Sequence, residues 1–121
     1  MLLPHLYKIL SSIAKGQMEH EFVVEINPDD QLFNGHFPGR PVLPGVCTIQ
    51  IVKECICSVL DRDLHFMSIS QCKFMGMVDP YIDNRLTISV CYKIEDARQT
   101  TVNASVSNSG RVVSKIKATL K

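Results

Sequence analysis

The residues NGHFPGRPVLPGVCTIQIVKECICSVL, positions 34 to 60, decide how this chain folds. Six prolines and glycines fall between Gly35 and Gly45, and each proline removes a backbone N–H donor and favours extended geometry in the residue before it. The first half is therefore predicted to be a loop of fixed shape. Positions 46 to 60 contain no glycine or proline, and only Lys53 and Glu54 are charged. The second half is predicted to be a largely buried helix that starts where the loop ends.

Length and composition describe an ordinary globular protein. The 121 residues suffice for one domain with its own core, and a hydrophobic content of 45% is typical of such domains. A net charge of +1 does not indicate a polyanion as the main partner. No run reaches the roughly 18 apolar residues of a membrane span, and Pro4 and His5 interrupt the N-terminal segment in a way that is untypical of a secretory signal. We expect one cytoplasmic domain, residues 1–121, that needs no membrane.

The five cysteines do not form a recognisable framework. Their number is odd, and they include no CxxC pair or Cys/His spacing typical of a metal site: Cys47, Cys55, Cys57, Cys72 and Cys91. We interpret them as small buried hydrophobic residues in a reducing cytosol. Cys47 lies one helical turn before Gln50, so a role as nucleophile stays open.

The remaining sequence predicts a short N-terminal helix and about five strands. Apolar residues from Leu2 to Ile13 follow a helical spacing. Alternating polar and apolar residues predict strands at 18–27, 64–78 (bulged near Gly76), 85–94, 99–107 and 112–120, and Asn108-Ser109-Gly110 is a hairpin signal. Short turns favour antiparallel pairing. The predicted fold class is α+β, with a curled antiparallel sheet around one long buried helix, and the sheet edge and uncovered helix surface are the expected dimer contacts.

The segment GHFPGRPVLPGV, residues 35 to 46, resembles the signature of the 3-hydroxyacyl-[acyl carrier protein] dehydratases of fatty acid synthesis. The similarity extends to Leu3-Pro4-His5 with Tyr7, and to Lys73-Phe74 followed by Pro80. The resemblance implies a hot-dog fold, in which the sheet wraps one central helix. It also implies a lyase that removes water from a 3-hydroxyacyl thioester to give the trans-2-enoyl thioester.

The resemblance also implies the site. The histidine of the GHFP segment, here His36, is the catalytic base, and the backbone amide of Gly45 polarises the thioester carbonyl. The second catalytic group in that family is a Glu or Asp five residues after this glycine, supplied by the other subunit of a dimer. In this sequence that position is Gln50. Substrate contacts are expected from Phe37, Pro44, Val46 and Glu54.

Elementary chemistry supports two of these roles and questions the third. The unperturbed pKa of histidine suits proton abstraction near neutrality. The first N–H groups of a helix lie unpaired at the positive end of its dipole, where an oxyanion develops. A Gln side chain, however, cannot give up a proton at neutral pH. Since a positioned general acid is worth about 10²–10⁴-fold in rate, a homodimer that depends on Gln50 is expected to be slow or inactive.

Several alternatives stay open. Glu54 lies on the same helix face as Gln50 but about 5.4 Å further along the axis, so it replaces the acid poorly unless a water bridges, and with Lys53 it is expected to form a charged patch. A related partner subunit could supply the acid. The chain could also be an impaired subunit that only binds acyl thioesters, or a thioesterase, although the start of the helix offers Thr48 and Gln50 and no acid for hydrolysis.

The expected partners follow from the same resemblance. They are an acyl thioester on an acidic acyl carrier protein, which Arg40 and Lys73 could contact, and a second subunit that is either identical or related. The elimination needs only an acid and a base, so no cofactor and no metal are expected. The sequence contains no nucleic-acid-binding motif.

Overall fold

The structure, a computed structural model, describes residues 5–35 and 42–121. Within these ranges the chain forms six strands and two helices. The strands are β1 (Tyr7–Gly16), β2 (Glu19–Ile26), β3 (Phe66–Phe74), β4 (Arg85–Asp96), β5 (Gln99–Asn108) and β6 (Arg111–Leu120). The helices are the short α1 (Leu32–Gly35) and the 16-residue α2 (Gly45–Leu60).

The six strands form one antiparallel sheet in the order β1-β2-β4-β5-β6-β3. Strands that follow one another along the chain are neighbours at β1–β2, β4–β5 and β5–β6, where short turns allow hairpins. The segment that contains α1 and α2 separates β2 from β3, and β3 joins the far side of the sheet beside β6. The sheet therefore ends at β1 on one side and at β3 on the other.

Helix α2 packs against one face of this sheet. Its buried residues repeat at three- and four-residue intervals, as an amphipathic helix requires: Cys47, Thr48, Ile51, Val52, Cys55 and Ile56. They share a single core with alternate residues of the strands, among them Phe22, Leu86, Ile88, Val106 and Leu120, all fully buried. This arrangement of one helix against an antiparallel sheet is the one that the hot-dog expectation describes, with six strands instead of five.

The predicted N-terminal helix is wrong, because Tyr7 to Ile13 belong to strand β1. This strand pairs with β2 from Tyr7↔Ile26 to Gly16↔Glu19, and its register shifts twice, at Ile9/Ser11 and at Ala14/Gly16. Each shift interrupts the two-residue alternation of a strand. The apolar residues therefore fall at spacings that imitate a helix. In the remainder of the predicted helix, residues 5 and 6 form a turn and residues 2–4 lie outside the described residues.

Two of the predicted strands have different details from those expected. The strand predicted over 64–78 ends at Phe74, and its register shifts lie at Phe66/Ser68 and Ile69/Gln71 instead of near Gly76. In β6 the inward-facing residue is Val113, whereas Val112 is 43% exposed. A register shift at Val106/Ser107 moves this end of the hairpin by one residue, which exchanges the two faces. The other strands and α2 agree with their predicted ranges within about two residues.

Candidate functional site

The predicted base His36, its neighbour Phe37 and the predicted docking residue Arg40 lie outside the described residues. The structure does describe the other parts of the predicted site. These are the start of α2, with Pro44, Gly45 and Val46, and the helix face that contains Gln50 and Glu54.

The start of α2 has the form of an anion-binding helix N-terminus. Pro44 is extended, and its carbonyl accepts the backbone N–H of Cys47 at 3.0 Å and of Thr48 at 3.3 Å. No described side chain caps this end. The first N–H groups of the helix are therefore oriented outward at the positive end of its dipole, which is the arrangement that stabilises a developing oxyanion.

Gly45 is in close contact with the aromatic ring of Phe74, at the end of β3. A Cβ atom at Gly45 would lie 2.6 Å from the ring Cζ atom, so a larger residue would displace the ring. Phe74 thus covers the glycine whose amide is predicted to polarise the thioester. Next to it Val46 is 73% exposed, which is unusual for a large apolar side chain and leaves it available to a ligand or a second subunit.

Gln50 and Glu54 are joined to Tyr7 by two short hydrogen bonds. The Gln50 amide Nε2 donates to Glu54 Oε2 at 2.8 Å, and the Tyr7 hydroxyl donates to Glu54 Oε1 at 2.7 Å. Tyr7 is 5% exposed, and both helix residues are half-buried. Burial, followed by the hydrogen bond to Glu54, raises the pKa of Tyr7 far above its ordinary value, so this hydroxyl remains a proton-bearing donor.

Tyr7 is a member of this cluster that the sequence did not identify as a site residue. It is 47 positions away from Glu54, and its segment was interpreted as a helix. The available signal was its place in the resemblance beside Leu3-Pro4-His5. As the first residue of β1, Tyr7 pairs with Ile26 at the end of β2, which brings it over the middle of α2.

A cavity of about 600 Å³ lies along this face of α2. The helix contributes Gln50, Lys53, Glu54, Cys57 and Ser58, and the following turn and His65 form its far end. Because residues 50, 54 and 57 are spaced by about one turn, their side chains point the same way. The predicted acid position and Glu54 therefore face one shared space, with polar groups at its wall.

The structure disfavours Cys47 as a nucleophile. All five are free thiols, and Cys47 and Cys55 are buried, whereas Cys72 and Cys91 are exposed, contrary to the expectation of burial. Burial raises the pKa of the Cys47 thiol, with a further contribution from Asp30, and burial raises that of Cys55 to about 12. A thiol with a raised pKa is a poor nucleophile at neutral pH, which disfavours a catalytic Cys47. Thr48, considered for a thioesterase, is also buried.

In the part of the chain that the structure describes, no helix has the length and apolar character needed to cross a membrane.

The chain is similar to dehydratases in sequence and in structure. The family model described as ApeI dehydratase matches residues 12–115. The 3-hydroxyacyl-[acyl-carrier-protein] dehydratase FabZ of Novosphingobium aromaticivorans is 32% identical over 92 residues, which cover 64% of this chain and 58% of that protein. The FabZ of Ehrlichia canis is 28% identical over 99% of this chain and 90% of its own length.

Among solved structures, a chain of the dehydratase heterocomplex ApeI:P from Xenorhabdus doucetiae superimposes with a TM-score of 0.74 and 26% sequence identity. The match covers 93% of this chain and 96% of that one. The family model extends over most of the chain, and the sequence relatives named above and the ApeI:P chain are dehydratases. This chain therefore belongs to the ApeI-like dehydratase family, of the 3-hydroxyacyl-[acyl carrier protein] dehydratase type.

Proposed function

We propose that this protein is one subunit of a 3-hydroxyacyl-thioester dehydratase, in which His36 removes the α-proton and a related partner subunit supplies the general acid. The observation that supports this division of labour is the hydrogen-bonded chain from Tyr7 through Glu54 to Gln50. Its last member, Gln50, has an amide where relatives of this type are expected to have a carboxyl group. Family membership supports the reaction class, and the chemistry at Gln50 supports the need for a partner.

Neither member of the Gln50–Glu54 pair is suited to release a proton to a leaving hydroxide. An amide has no labile proton at neutral pH. Within the described residues, Glu54 accepts the Tyr7 hydroxyl on one carboxylate oxygen and the Gln50 amide on the other, so both oxygens are already engaged. His36 takes the α-proton, and the amides at Gly45 stabilise the charge on the thioester oxygen. No group in the part of this site that the structure describes protonates the departing hydroxyl.

The exposed apolar residues support assembly with a second subunit at the β3 edge. Met67 and Ile69 on this strand, and Phe74, Met75 and Met77 at and beyond its end, are each between 42% and 60% exposed. Val46 at the start of α2 extends the same surface through the contact of Phe74 with Gly45. An edge strand with unpaired backbone groups and apolar side chains is suited to pairing with another chain. Since the similar ApeI:P structure is a heterocomplex, a related subunit is the proposed occupant.

The proposed substrate is an acyl thioester on a carrier protein in the cytoplasm, without a cofactor. Lys73 supports the docking of an acidic carrier. It is exposed and lies directly opposite Lys115 across the β3–β6 pair, and neither forms an ion pair within the described residues. Like charges opposite each other destabilise a sheet, and an acidic partner would relieve their repulsion.

The test is an assay of trans-2-enoyl thioester formation from a carrier-bound 3-hydroxyacyl substrate. We expect the chain alone to be at least 100-fold slower than the chain combined with a related hot-dog subunit from the same genome. His36→Ala should abolish the activity of the combination, and Lys53→Gln, next to the site but outside the hydrogen-bonded chain, should leave it within about two-fold. A matching measurement of free thiol release detects thioesterase activity.

Three results would contradict the proposal. Full activity of the chain alone would show that no partner acid is needed. Thiol release without enoyl product would assign the protein to the thioesterases. Retention of activity by His36→Ala would separately remove the assignment of the base.

A further inference from the structure

The hydrogen-bonded chain fixes which end of the Gln50 amide faces a ligand. A carboxylate only accepts hydrogen bonds, so the group that Gln50 presents to Glu54 at 2.8 Å must be its NH₂. The carbonyl oxygen Oε1 lies at the other end of the same planar amide and points away from Glu54. The orientation therefore follows from the chemistry of the partner.

The hydrogen bond from Tyr7 keeps the Glu54 carboxylate in the position that orients the Gln50 amide. Its hydroxyl occupies the second carboxylate oxygen at 2.7 Å and comes from a strand residue that is 5% exposed, so the carboxylate is held from a rigid, buried side. With the Tyr7 hydroxyl on one oxygen and the Gln50 amide on the other, the carboxylate holds the NH₂ end of Gln50 toward itself.

We propose that Glu54, held by Tyr7, is a positioning residue that turns the Gln50 carbonyl oxygen toward the cavity. This oxygen then serves as a hydrogen-bond acceptor for the group at the 3-position of an acyl chain. The site therefore selects a hydroxyl over a ketone. A hydroxyl can donate a hydrogen bond to Oε1, whereas a ketone at the same carbon offers only lone pairs and is left facing an oxygen. This inference rests on the proposed function for the class of ligand.

The inference explains how Gln50 serves a dehydratase subunit without being an acid. A site that pairs with a substrate hydroxyl discriminates strongly against an analogue that cannot make the bond, because its own polar group then remains unpaired. Because the residue at this position acts in the site of the other subunit, Gln50 would hold the hydroxyl by its hydrogen in the site to which the partner subunit contributes the base.

The test compares two stable ligands, amide-linked pantetheine analogues with a 3-hydroxyacyl or a 3-oxoacyl chain of the same length, by calorimetric titration of the full chain with and without its partner subunit. We expect the hydroxyl analogue to bind on the order of ten-fold more tightly. In Glu54→Gln the new side-chain oxygen can accept the Tyr7 hydroxyl, and the new NH₂ can donate to Gln50. The Gln50 amide then turns its oxygen toward position 54 and its NH₂ toward the cavity. The preference should then fall to within two-fold or invert.

Controls separate orientation from general damage. Glu19→Gln makes the same change of side chain at an exposed position of β2 outside the cavity, so it should retain the ten-fold preference. Gln50→Met keeps the volume and removes the acceptor, and it should abolish the preference even if Glu54→Gln fails to fold. An unchanged preference in either Glu54→Gln or Gln50→Met would overturn the proposal.

The outcomes also distinguish this inference from the proposed function. Equal binding of both analogues to the unaltered protein overturns the inference and leaves the dehydratase proposal in place. A ten-fold preference without any enoyl product in the assay overturns the proposed reaction and supports the inference. If neither analogue binds, both fail.

Discussion

At the scale of single residues, the main finding is that Glu54 does not behave as an ordinary surface charge. It was expected to form a charged patch with Lys53, yet it accepts hydrogen bonds from Tyr7 and Gln50 and is half-buried. A side chain of this kind is held in one geometry, which a solvated glutamate is not. The acid position is therefore defined by two residues, not by the identity of residue 50 alone.

Replacing Gln50 with Glu should create a coupled carboxyl pair. In the unaltered protein the two side chains are 2.8 Å apart, and two carboxylates at that distance cannot both ionise easily. The upper apparent pKa of the pair should therefore rise above that of an isolated glutamic acid. A carboxyl group with a raised pKa is a suitable general acid, so we expect Gln50→Glu to increase the activity of the chain alone by at least ten-fold.

The sign of the pH dependence follows directly. A folded-state pKa above the unfolded value means that the folded state binds the extra proton, so stability is retained at low pH and lost as pH rises through the raised pKa. Gln50→Glu should therefore be least stable relative to the unaltered protein at alkaline pH, and its activity should fall over the same range. Urea unfolding between pH 5 and 9 measures this, with Gln50→Glu/Glu54→Gln as the control. A pH-independent stability difference would contradict the pairing.

At the scale of elements, the turn between β5 and β6 is tied to the start of β4. The Asn108 side-chain amide donates to the carbonyls of Asp83 at 3.1 Å and Arg85 at 2.9 Å, and Ser109 donates its hydroxyl to Asp83 at 2.8 Å. The backbone N–H of Arg85 and then the Ser109 hydroxyl lower the pKa of Asp83. This contribution to stability is present at neutral pH and is lost as pH falls through the lowered pKa.

We expect Asn108→Ala to destabilise the fold by about 2 kcal/mol, because the amide is 5% exposed and its loss leaves two backbone carbonyls without their donor. Asn103→Ala, on the same strand but exposed, should cost less than about 0.5 kcal/mol. Urea unfolding of the two variants at pH 7 provides the comparison. Equal losses would mean that Asn108 contributes no more than a surface amide.

Strand β1 shows where local pattern fails at this scale. Its apolar residues fit a helix by spacing, but its backbone groups pair with β2, and two register shifts account for the spacing. A bulge depends on the partner strand and is not visible in one segment considered alone. Helix α2, by contrast, was predictable because a 16-residue run without glycine or proline has a clear period and a clear start at Pro44-Gly45.

At the scale of the whole molecule, the two edges of the sheet differ in their suitability for assembly. The β3 edge has Met67 and Ile69 exposed and is continuous with Phe74 and Val46, whereas the β1 edge exposes Leu10 and Ile13. The β3 edge lies beside the start of α2, through the Phe74–Gly45 contact. A second subunit bound there would be adjacent to the predicted site.

We therefore expect Ile69→Glu to dissociate the proposed dimer, because a charge would be buried between two paired edges. Ile13→Glu is the matched control, since Ile13 is 50% exposed and Ile69 42%, on opposite edges. Light scattering coupled to size-exclusion chromatography gives the mass of each variant. Dissociation by Ile13→Glu with no effect of Ile69→Glu would assign the interface to β1.

The sequence by itself determined the central helix, most of the strands, the hairpin at Asn108–Gly110 and the family, because each depends on residues close together in the chain. Only the tertiary structure decided that Tyr7 holds Glu54 and that Glu54 orients Gln50. Tyr7 and Glu54 are 47 residues apart and meet because β1 joins the sheet beside β2. No local period or propensity encodes such a meeting, since it depends on how the strands assemble around the helix.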